Sequence, residues 1–265
     1  MSPEAQRAVS PNIHSSTAGD GADVILLHGL FGAGNNLGVL SRSLQDRYRV
    51  HSLDLPNHGR SGWLEKMTLD TLAGAVRDWM AERGVERAHL VGHSLGGKVA
   101  MRIALDAPDS VARLVVADIA PVAYPSHHEA VFAALEAVVR EAPSSRTEAD
   151  LCMAAHVEEE GVRQFLALSL ARGEDGRYRW RFNLEGLQRD YAAVREALSA
   201  AVPFPGETLF IKGELSDYIL PGHRDAIEAL FPRARFKVLQ GCGHWLHAEQ
   251  PRLFNSVVGR FLDGG

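Results

Sequence analysis

Short apolar segments recur along the chain, and each ends at a turn or near a glycine. They are Val24–Leu27, Tyr48–Leu53, Ala88–Val91, Leu114–Ala117, Leu209–Ile211 and Phe236–Leu239. Continuous apolar runs of this length are typical of strands buried on both faces of a parallel sheet. They are too short and too regularly bounded for buried helices. Before Val24 the pattern is weak, and we expect at most one edge strand there, over Ala5–Val9.

Between the apolar runs, apolar residues recur at helical spacing. The expected helices cover Asn36–Leu44, Asp70–Arg83, Lys98–Asp106 and Leu253–Leu262, with Asp70 a candidate N-cap. Strands that alternate with helices predict an α/β fold. Its central sheet should be mostly parallel, with helices on both faces.

The alternation stops between Pro121 and Ala201, where the spacing is helical almost throughout. One short aromatic run, Tyr178–Phe182, interrupts it, and strand–helix alternation resumes at Thr208. We therefore expect residues 1–120 and 202–265 to form one core domain. Residues 121–201 should form a helical cap inserted over the carboxyl edge of the sheet, where ligands bind in open α/β sheets.

Ser94 is the candidate nucleophile, because it stands in the pentapeptide GHSLG at residues 92–96. An apolar run leads into this GxSxG pattern and a helical segment leads out of it, which is the strand–turn–helix context of a nucleophile elbow. The alternative is a glycine-rich turn with an incidental serine. The sequence holds neither GxGxxG nor GxxxxGK[ST], which argues against a dinucleotide or phosphate-binding loop.

His244 is the candidate general base, since it follows the last apolar run and lies after Ser94 in chain order. The chain has 12 histidines, so the residue type alone says little, and the position in the sequence is what distinguishes His244 from the others. His28 follows the first apolar run, and we expect it to hold that loop. The backbone N–H groups of Leu30 and Leu95 would then bind the oxyanion of the tetrahedral intermediate.

The acidic partner of the histidine is ambiguous from the residues alone. Asp118 and Asp217 each follow a predicted strand and lie between Ser94 and His244. Either could orient the imidazole, and each could instead be a helix cap or turn residue. Asp54 is a weaker candidate because it precedes the serine.

Several further residues have both a functional and a purely structural interpretation. Five aromatic side chains are candidates for the substrate pocket, although those of the insertion could form its own core: Phe31, Tyr124, Trp180, Phe182 and Trp245. His127 and His128 have no third ligand at a suitable spacing, so we expect a solvated helix start and no metal site. Cys242 beside His244 is expected to serve packing.

Composition and charge narrow the function classes. The chain has 265 residues, a net charge of −5 and a pI of about 6.2, which argues against a nucleic-acid or anionic-membrane binder. No run of about 18 apolar residues predicts a membrane span. The N-terminal residues lack a secretory pattern, and two distant cysteines, Cys152 and Cys242, favour reduced thiols. We therefore expect a cytoplasmic protein.

Six segments together resemble the α/β-hydrolases, and more narrowly the small bacterial serine esterases related to α/β-hydrolase domain-containing protein 11. They are residues 26–32, 54–61, 91–99, 118–122, 180–184 and 243–251. The resemblance implies Ser94 as nucleophile, His244 as base, and Leu30 and Leu95 as oxyanion donors. It also implies Asp118 as the acid. Many other α/β-hydrolases carry the acid after the following strand, where this chain has Ser216, with Asp217 one residue late.

The predicted activity is hydrolysis of carboxylic esters or thioesters with small to medium acyl groups, through an acyl-enzyme and without a cofactor. A small-molecule ester is the expected partner. Two other enzymes can share the same triad, a C–C bond hydrolase and a cofactor-free perhydrolase. A binding protein of the same fold without turnover is the alternative outside the enzymes.

Overall fold

The computed structural model describes residues 11–265, which are built around a seven-stranded sheet. Its strands are β1 (Ser15–Ala18), β2 (Ala22–Leu27), β3 (Tyr48–Leu53), β4 (Ala88–His93), β5 (Val111–Ala117), β8 (Thr208–Gly213) and β9 (Ala234–Leu239). Their order is β1-β3-β2-β4-β5-β8-β9, and all neighbours are parallel except β1 and β3. The predicted α/β fold with a mostly parallel sheet is confirmed.

Helices cover both faces of the sheet. Those outside the predicted insertion are α1 (Gly38–Leu44), α2 (Leu69–Glu82), α3 (Leu95–Asp106), α8 (Arg224–Leu230), α9 (Leu246–Glu249) and α10 (Pro251–Leu262). Successive residues of β2 show why the strand sequence is apolar without alternation. Val24 and Leu26 pack into one core with Phe254 of α10, whereas Ile25 and Leu27 pack into another with Val99 of α3. Both faces of the strand are therefore buried.

Two details differ from the sequence-based expectations. The edge strand β1 was not predicted, because its residues Ser15–Ala18 are polar or small and, among the described residues, it pairs only with β3. The strand expected over Ala5–Val9 lies outside the described residues. Asp70 is not the N-cap of α2: the Thr68 hydroxyl accepts a hydrogen bond from the Thr71 N–H at 3.1 Å, and Asp70 lies in the first turn.

The segment between β5 and β8 contains four helices and a small antiparallel pair of strands. These are α4 (Glu129–Glu141), α5 (Arg146–Ala154), α6 (Glu160–Ala167), β6 (Leu170–Arg172), β7 (Tyr178–Trp180) and α7 (Leu184–Val194). The segment contacts loops that follow the core strands: Ser169 Oγ donates to Phe31 O at 2.7 Å, and Asn183 N–H donates to Asn57 O at 2.9 Å. These contacts place it beside the carboxyl edge of the sheet. Its treatment as a cap domain over residues 121–201 stays a prediction.

A buried lysine joins both ends of this segment to the core. The Lys98 ammonium on α3 donates hydrogen bonds to Val122 O at 2.9 Å and to Arg195 O at 3.1 Å, and also to Glu196 O. Burial lowers the pKa of Lys98 to about 8. One side chain thus holds the chain where it leaves the core and where it returns.

Replacing Lys98 by methionine should reduce the free energy of unfolding by about 2–4 kcal/mol, because three carbonyl groups lose a cationic donor. Urea denaturation measures this difference. The control is Lys237→Met on β9, where the side chain is exposed, and where a surface change should cost less than about 0.5 kcal/mol. Equal effects of the two substitutions would contradict the anchoring role of Lys98.

Candidate active site

Ser94 lies at the sharp turn between β4 and α3. Its backbone has φ 52° and ψ −119°, in a region that non-glycine residues rarely adopt. A Cβ atom on Gly92 would lie 2.2 Å from Gly96 O, and one on Gly96 would lie 2.2 Å from Leu27 O. Only glycine fits at these two positions. The pentapeptide therefore forms the strained strand–turn–helix that presents the serine at the sheet edge.

The loop after β2 lies beside this turn. His28 is buried: its Nδ1 donates to Gly29 O at 2.7 Å, and its Nε2 accepts from the Leu55 N–H at 2.9 Å. This agrees with the expectation that His28 holds the loop. Leu30 and Leu95 line one small void of about 50 Å³ together with Ser94. Leu95 is the first residue of α3, so its N–H has no partner within the helix.

His244 and Asp118 are in direct contact. His244 Nδ1 donates to Asp118 Oδ2 at 2.8 Å, because a carboxylate can only accept, and this leaves Nε2 without a proton. The His244 side chain is 17% exposed and that of Asp118 is fully buried. Asp118 has φ 53°, so the strained backbone at the end of β5 sets the direction of its side chain.

The loop after β8 completes the surroundings of the carboxylate. Asp118 Oδ1 accepts from the Gly213 N–H at 3.0 Å, and Oδ2 also accepts from the Ser216 hydroxyl. Tyr218 stacks on the His244 imidazole with ring centres 4.0 Å apart. Asp217 lies between these two residues in sequence, but it is exposed. The structure thus brings Asp118 to His244 and leaves Asp217 exposed.

His93 was not singled out by the sequence, although it precedes Ser94. Its Nε2 donates to the main-chain oxygen of His244 at 2.8 Å. Burial holds the pKa of His93 well below its usual range, so the ring is neutral. His93 therefore ties the backbone of His244 to the strand that carries Ser94. A histidine inside GxSxG is the only sequence signal for this contact.

His247 packs against His93, with ring centres 4.4 Å apart, and burial lowers its pKa to about 4. An unfolded histidine has a pKa of about 6.5, so the unfolded state binds the extra proton first as the pH falls. Stability is then lost below about pH 6.5.

When the pH is lowered from 8 to 5, the free energy of unfolding should fall by about 2 kcal/mol less in His247→Leu than in the wild type. Urea denaturation at both pH values tests this, with pH 8 as the internal reference. Equal losses would contradict the burial of a neutral His247.

A cavity of about 460 Å³ opens in front of Ser94 and His244, and we call it the inner cavity. Leu30, Phe31 and Trp245 line it on the core side. Helices α4 and α6 add apolar side chains: Val131, Val162, Phe165 and Leu166. The volume and the apolar walls suit a small organic ligand.

The candidate pocket residues therefore separate into two groups. Phe31 and Trp245 line the inner cavity, and Tyr124 lines the small void next to Ser94. Trp180 and Phe182 line neither space. They stack on each other at 5.2 Å, and Phe182 packs 5.6 Å from Phe31, measured between ring centres. These two residues belong to the packing behind Phe31.

Other expectations from the sequence have mixed outcomes. His128 is not a solvated helix start: it is half-buried, hydrogen-bonds the Tyr191 hydroxyl, and burial lowers its pKa to about 4. Cys242 is fully buried in the core. Asp54 accepts from the Gly34 and Arg60 N–H groups and so orders neighbouring loops. Within residues 11–265, no group of three or more His, Cys, Asp or Glu side chains could hold a metal ion.

Comparison with known proteins agrees with this geometry. Residues 24–251 match the alpha/beta hydrolase fold family. The chain belongs to this family. This α/β-hydrolase is 37% identical over 258 residues to the esterase YbfF of Escherichia coli, a match that covers 95% of this chain and 98% of that protein.

Two further relatives are informative. The sn-1-specific diacylglycerol lipase ABHD11 of Mus musculus is 36% identical over 247 residues, covering 90% of this hydrolase and 80% of the relative. A solved marine microorganism esterase superposes with a TM-score of 0.92 at 33% identity, covering 95% of this chain and 100% of the other. The predicted relationship is confirmed, and the chain is a serine ester hydrolase by family.

Proposed function

We propose that Ser94, His244 and Asp118 form the catalytic triad, with the N–H groups of Leu30 and Leu95 as the oxyanion hole. The observation that carries the proposal is that Ser94 and His244 line the same cavity. Ser94 sits in a strained elbow, and His244 is held by Asp118 with its Nε2 free to accept, both on one cavity. This combination supplies a nucleophile, a base and the group that orients the base.

The reaction follows from these positions. His244 Nε2 accepts the Ser94 hydroxyl proton while Oγ attacks the ester carbonyl. The carbonyl oxygen becomes an oxyanion, which the two N–H groups stabilise. The intermediate collapses as the bond to the alkoxy oxygen breaks, and the proton on His244 passes to that oxygen. Water then attacks the acyl-enzyme by the same sequence of steps, which releases the acid and restores Ser94.

The substrates that we propose are carboxylic esters and thioesters of small to medium acyl groups. The inner cavity, about 460 Å³ with apolar walls, supports this range. Relatives named as an esterase and as a diacylglycerol lipase support ester chemistry. Among residues 11–265, every helix is too short or too polar to cross a bilayer. Two unpaired cysteines support the proposal of a reducing, cytoplasmic environment.

The test is hydrolysis of p-nitrophenyl butyrate together with labelling by a fluorophosphonate probe. We expect turnover, stoichiometric labelling and a modified peptide that contains Ser94. Labelling without turnover of any ester would favour the binding-protein alternative. Turnover confined to C–C bonds or to peracid formation would favour the other two alternatives.

A further inference from the structure

A second cavity of about 530 Å³, which we call the outer cavity, is also lined by His244. It shares only His127 and His244 with the inner cavity. Its walls come from the start of the insertion, at Tyr124 and Pro125, and from the loop after β8, at Leu215 and Tyr218. The proposed general base therefore faces two separate spaces.

A hydrogen bond joins His127, which lines both cavities, to Tyr218, which lines the outer one. His127 Nδ1 donates to Pro125 O at 2.8 Å, so its Nε2 accepts from the Tyr218 hydroxyl at 2.6 Å. The small void beside Ser94 is also lined by Tyr124, His127 and Tyr218. This void shares Leu30 and Ser94 with the inner cavity and Tyr124 and Tyr218 with the outer cavity, so it lies between the region of Ser94 and the outer cavity.

The direction of proton transfer distinguishes the roles of the two cavities. The protonated His244 must meet the alkoxy oxygen of the ester, whereas the carbonyl oxygen must face Leu30 and Leu95. The inner cavity contains Leu30 and the apolar side chains of α4 and α6, which fits an acyl chain. The group beyond the alkoxy oxygen needs a space on the His244 side that lies away from Leu30. The outer cavity contains His244 and lacks Leu30.

We propose that the outer cavity binds the alcohol part of the ester and selects flat, uncharged or cationic alcohols over anionic ones. This inference rests on the proposed function. Rings from Tyr124, Tyr218 and His223 form its walls, and aromatic faces favour planar groups and cations. Asp217 contributes a carboxylate, and no lysine or arginine is among the residues that line the cavity in the described part of the chain. The nearby cations Lys212 and Arg195 donate to the main-chain oxygens of Ser216 and Tyr124 and do not line the cavity, so an anionic alcohol would meet the like charge of Asp217 first.

Esters that share one acyl group test this proposal, because all of them form the same butyryl-enzyme and deacylate at one rate. The substrates are phenyl butyrate, 3-(trimethylammonio)phenyl butyrate and 3-sulfophenyl butyrate. The kcat/KM of each ester is divided by the rate constant for hydroxide-catalysed hydrolysis of the same ester, which removes differences in leaving-group reactivity. We expect the sulfonated ester to be disfavoured by about tenfold against the cationic one, a change of about 1.4 kcal/mol. Asp217→Lys should reverse this order.

A steric variant gives an independent measurement. Leu220 lines the outer cavity and is 42% exposed. Leu220→Trp should lower kcat/KM for 2-naphthyl butyrate several-fold more than for methyl butyrate. Leu151→Trp is the matched control, because this leucine of α5 is 66% exposed and lines neither cavity. Val162→Trp in the inner cavity should instead change the preference for acyl length.

Two results would overturn the assignment of the outer cavity. One is equal normalised kcat/KM for the three aryl esters in both the wild type and Asp217→Lys. The other is an unchanged ratio of naphthyl to methyl ester in Leu220→Trp. In either case, hydrolysis of these esters together with undiminished fluorophosphonate labelling of Ser94 would show that the esterase assignment still holds. Absence of both labelling and hydrolysis in the wild type would overturn the proposed function itself.

Discussion

Replacing Ser94 by alanine should lower kcat for p-nitrophenyl butyrate by about 10⁶ without unfolding the protein. Alanine removes the attacking oxygen and leaves the elbow backbone, with its φ of 52°, in place. The remaining groups can still bind the ester and stabilise charge, so a small residual rate above that of water is expected.

The measurement is kcat per folded molecule, with the thermal unfolding midpoint recorded for each variant. Ser43→Ala is the matched control, since this exposed hydroxyl on α1 donates only to Leu40 O. It should keep the wild-type rate. A Ser94→Ala preparation that is free of wild-type enzyme and retains more than about 1% of kcat would contradict the nucleophile assignment.

Replacing Asp118 by asparagine should lower kcat by about 10⁴, because the histidine would then be held in the wrong tautomer. The Gly213 N–H donates to Oδ1, so the amide oxygen of asparagine would take that position and its NH₂ group would face His244. His244 Nδ1 would have to accept this hydrogen bond, and the ring proton would move to Nε2. In that state Nε2 cannot take the Ser94 proton.

Asp217→Asn is the comparison, since Asp217 is exposed and Asp118 is fully buried. It should keep kcat for p-nitrophenyl butyrate within about tenfold of the wild type, because its carboxylate does not orient the imidazole. Both variants need their folded fraction measured by circular dichroism. A loss of thousands-fold in Asp217→Asn, with most of the rate kept in Asp118→Asn, would place the acid after β8 instead.

The residues of the sequence alone do not distinguish Asp118 from Asp217 as the acidic partner of His244. Both follow neighbouring parallel strands, β5 and β8, so both are brought to the same edge of the sheet. The side chain of Asp118 turns inward because its backbone adopts a positive φ and Gly213 and Ser216 donate to its carboxylate. Ser216 stands where many other α/β-hydrolases carry the acid, and here its hydroxyl donates to Asp118. One residue further along, Asp217 is exposed and is not a hydrogen-bond partner of Asp118 or His244 in the described part of the chain.

The edge strand β1 and the anchoring role of Lys98 were not predicted from the sequence, for a different reason. The apolar runs of the inner strands identify them because both of their faces are buried. Strand β1 has polar or small residues and, within residues 11–265, a single neighbouring strand, so its sequence resembles a loop. Lys98 stands in a predicted helix as an ordinary cation, and only the return of the chain at Arg195 and Glu196 makes it a buried anchor.

The sequence by itself determined the order of the inner strands and of the helices between them, the elbow at Ser94 and the loop position of His244. Each of these is a local property, set by apolar periodicity or by glycines whose neighbours leave no room for a Cβ atom. The tertiary structure alone decided which carboxylate contacts His244, which aromatic side chains line a cavity, and that His244 faces two cavities. These features depend on contacts between residues about 100 positions apart, such as Asp118 with Gly213 and Ser216. A local sequence pattern does not determine which way a side chain points toward residues that far away along the chain.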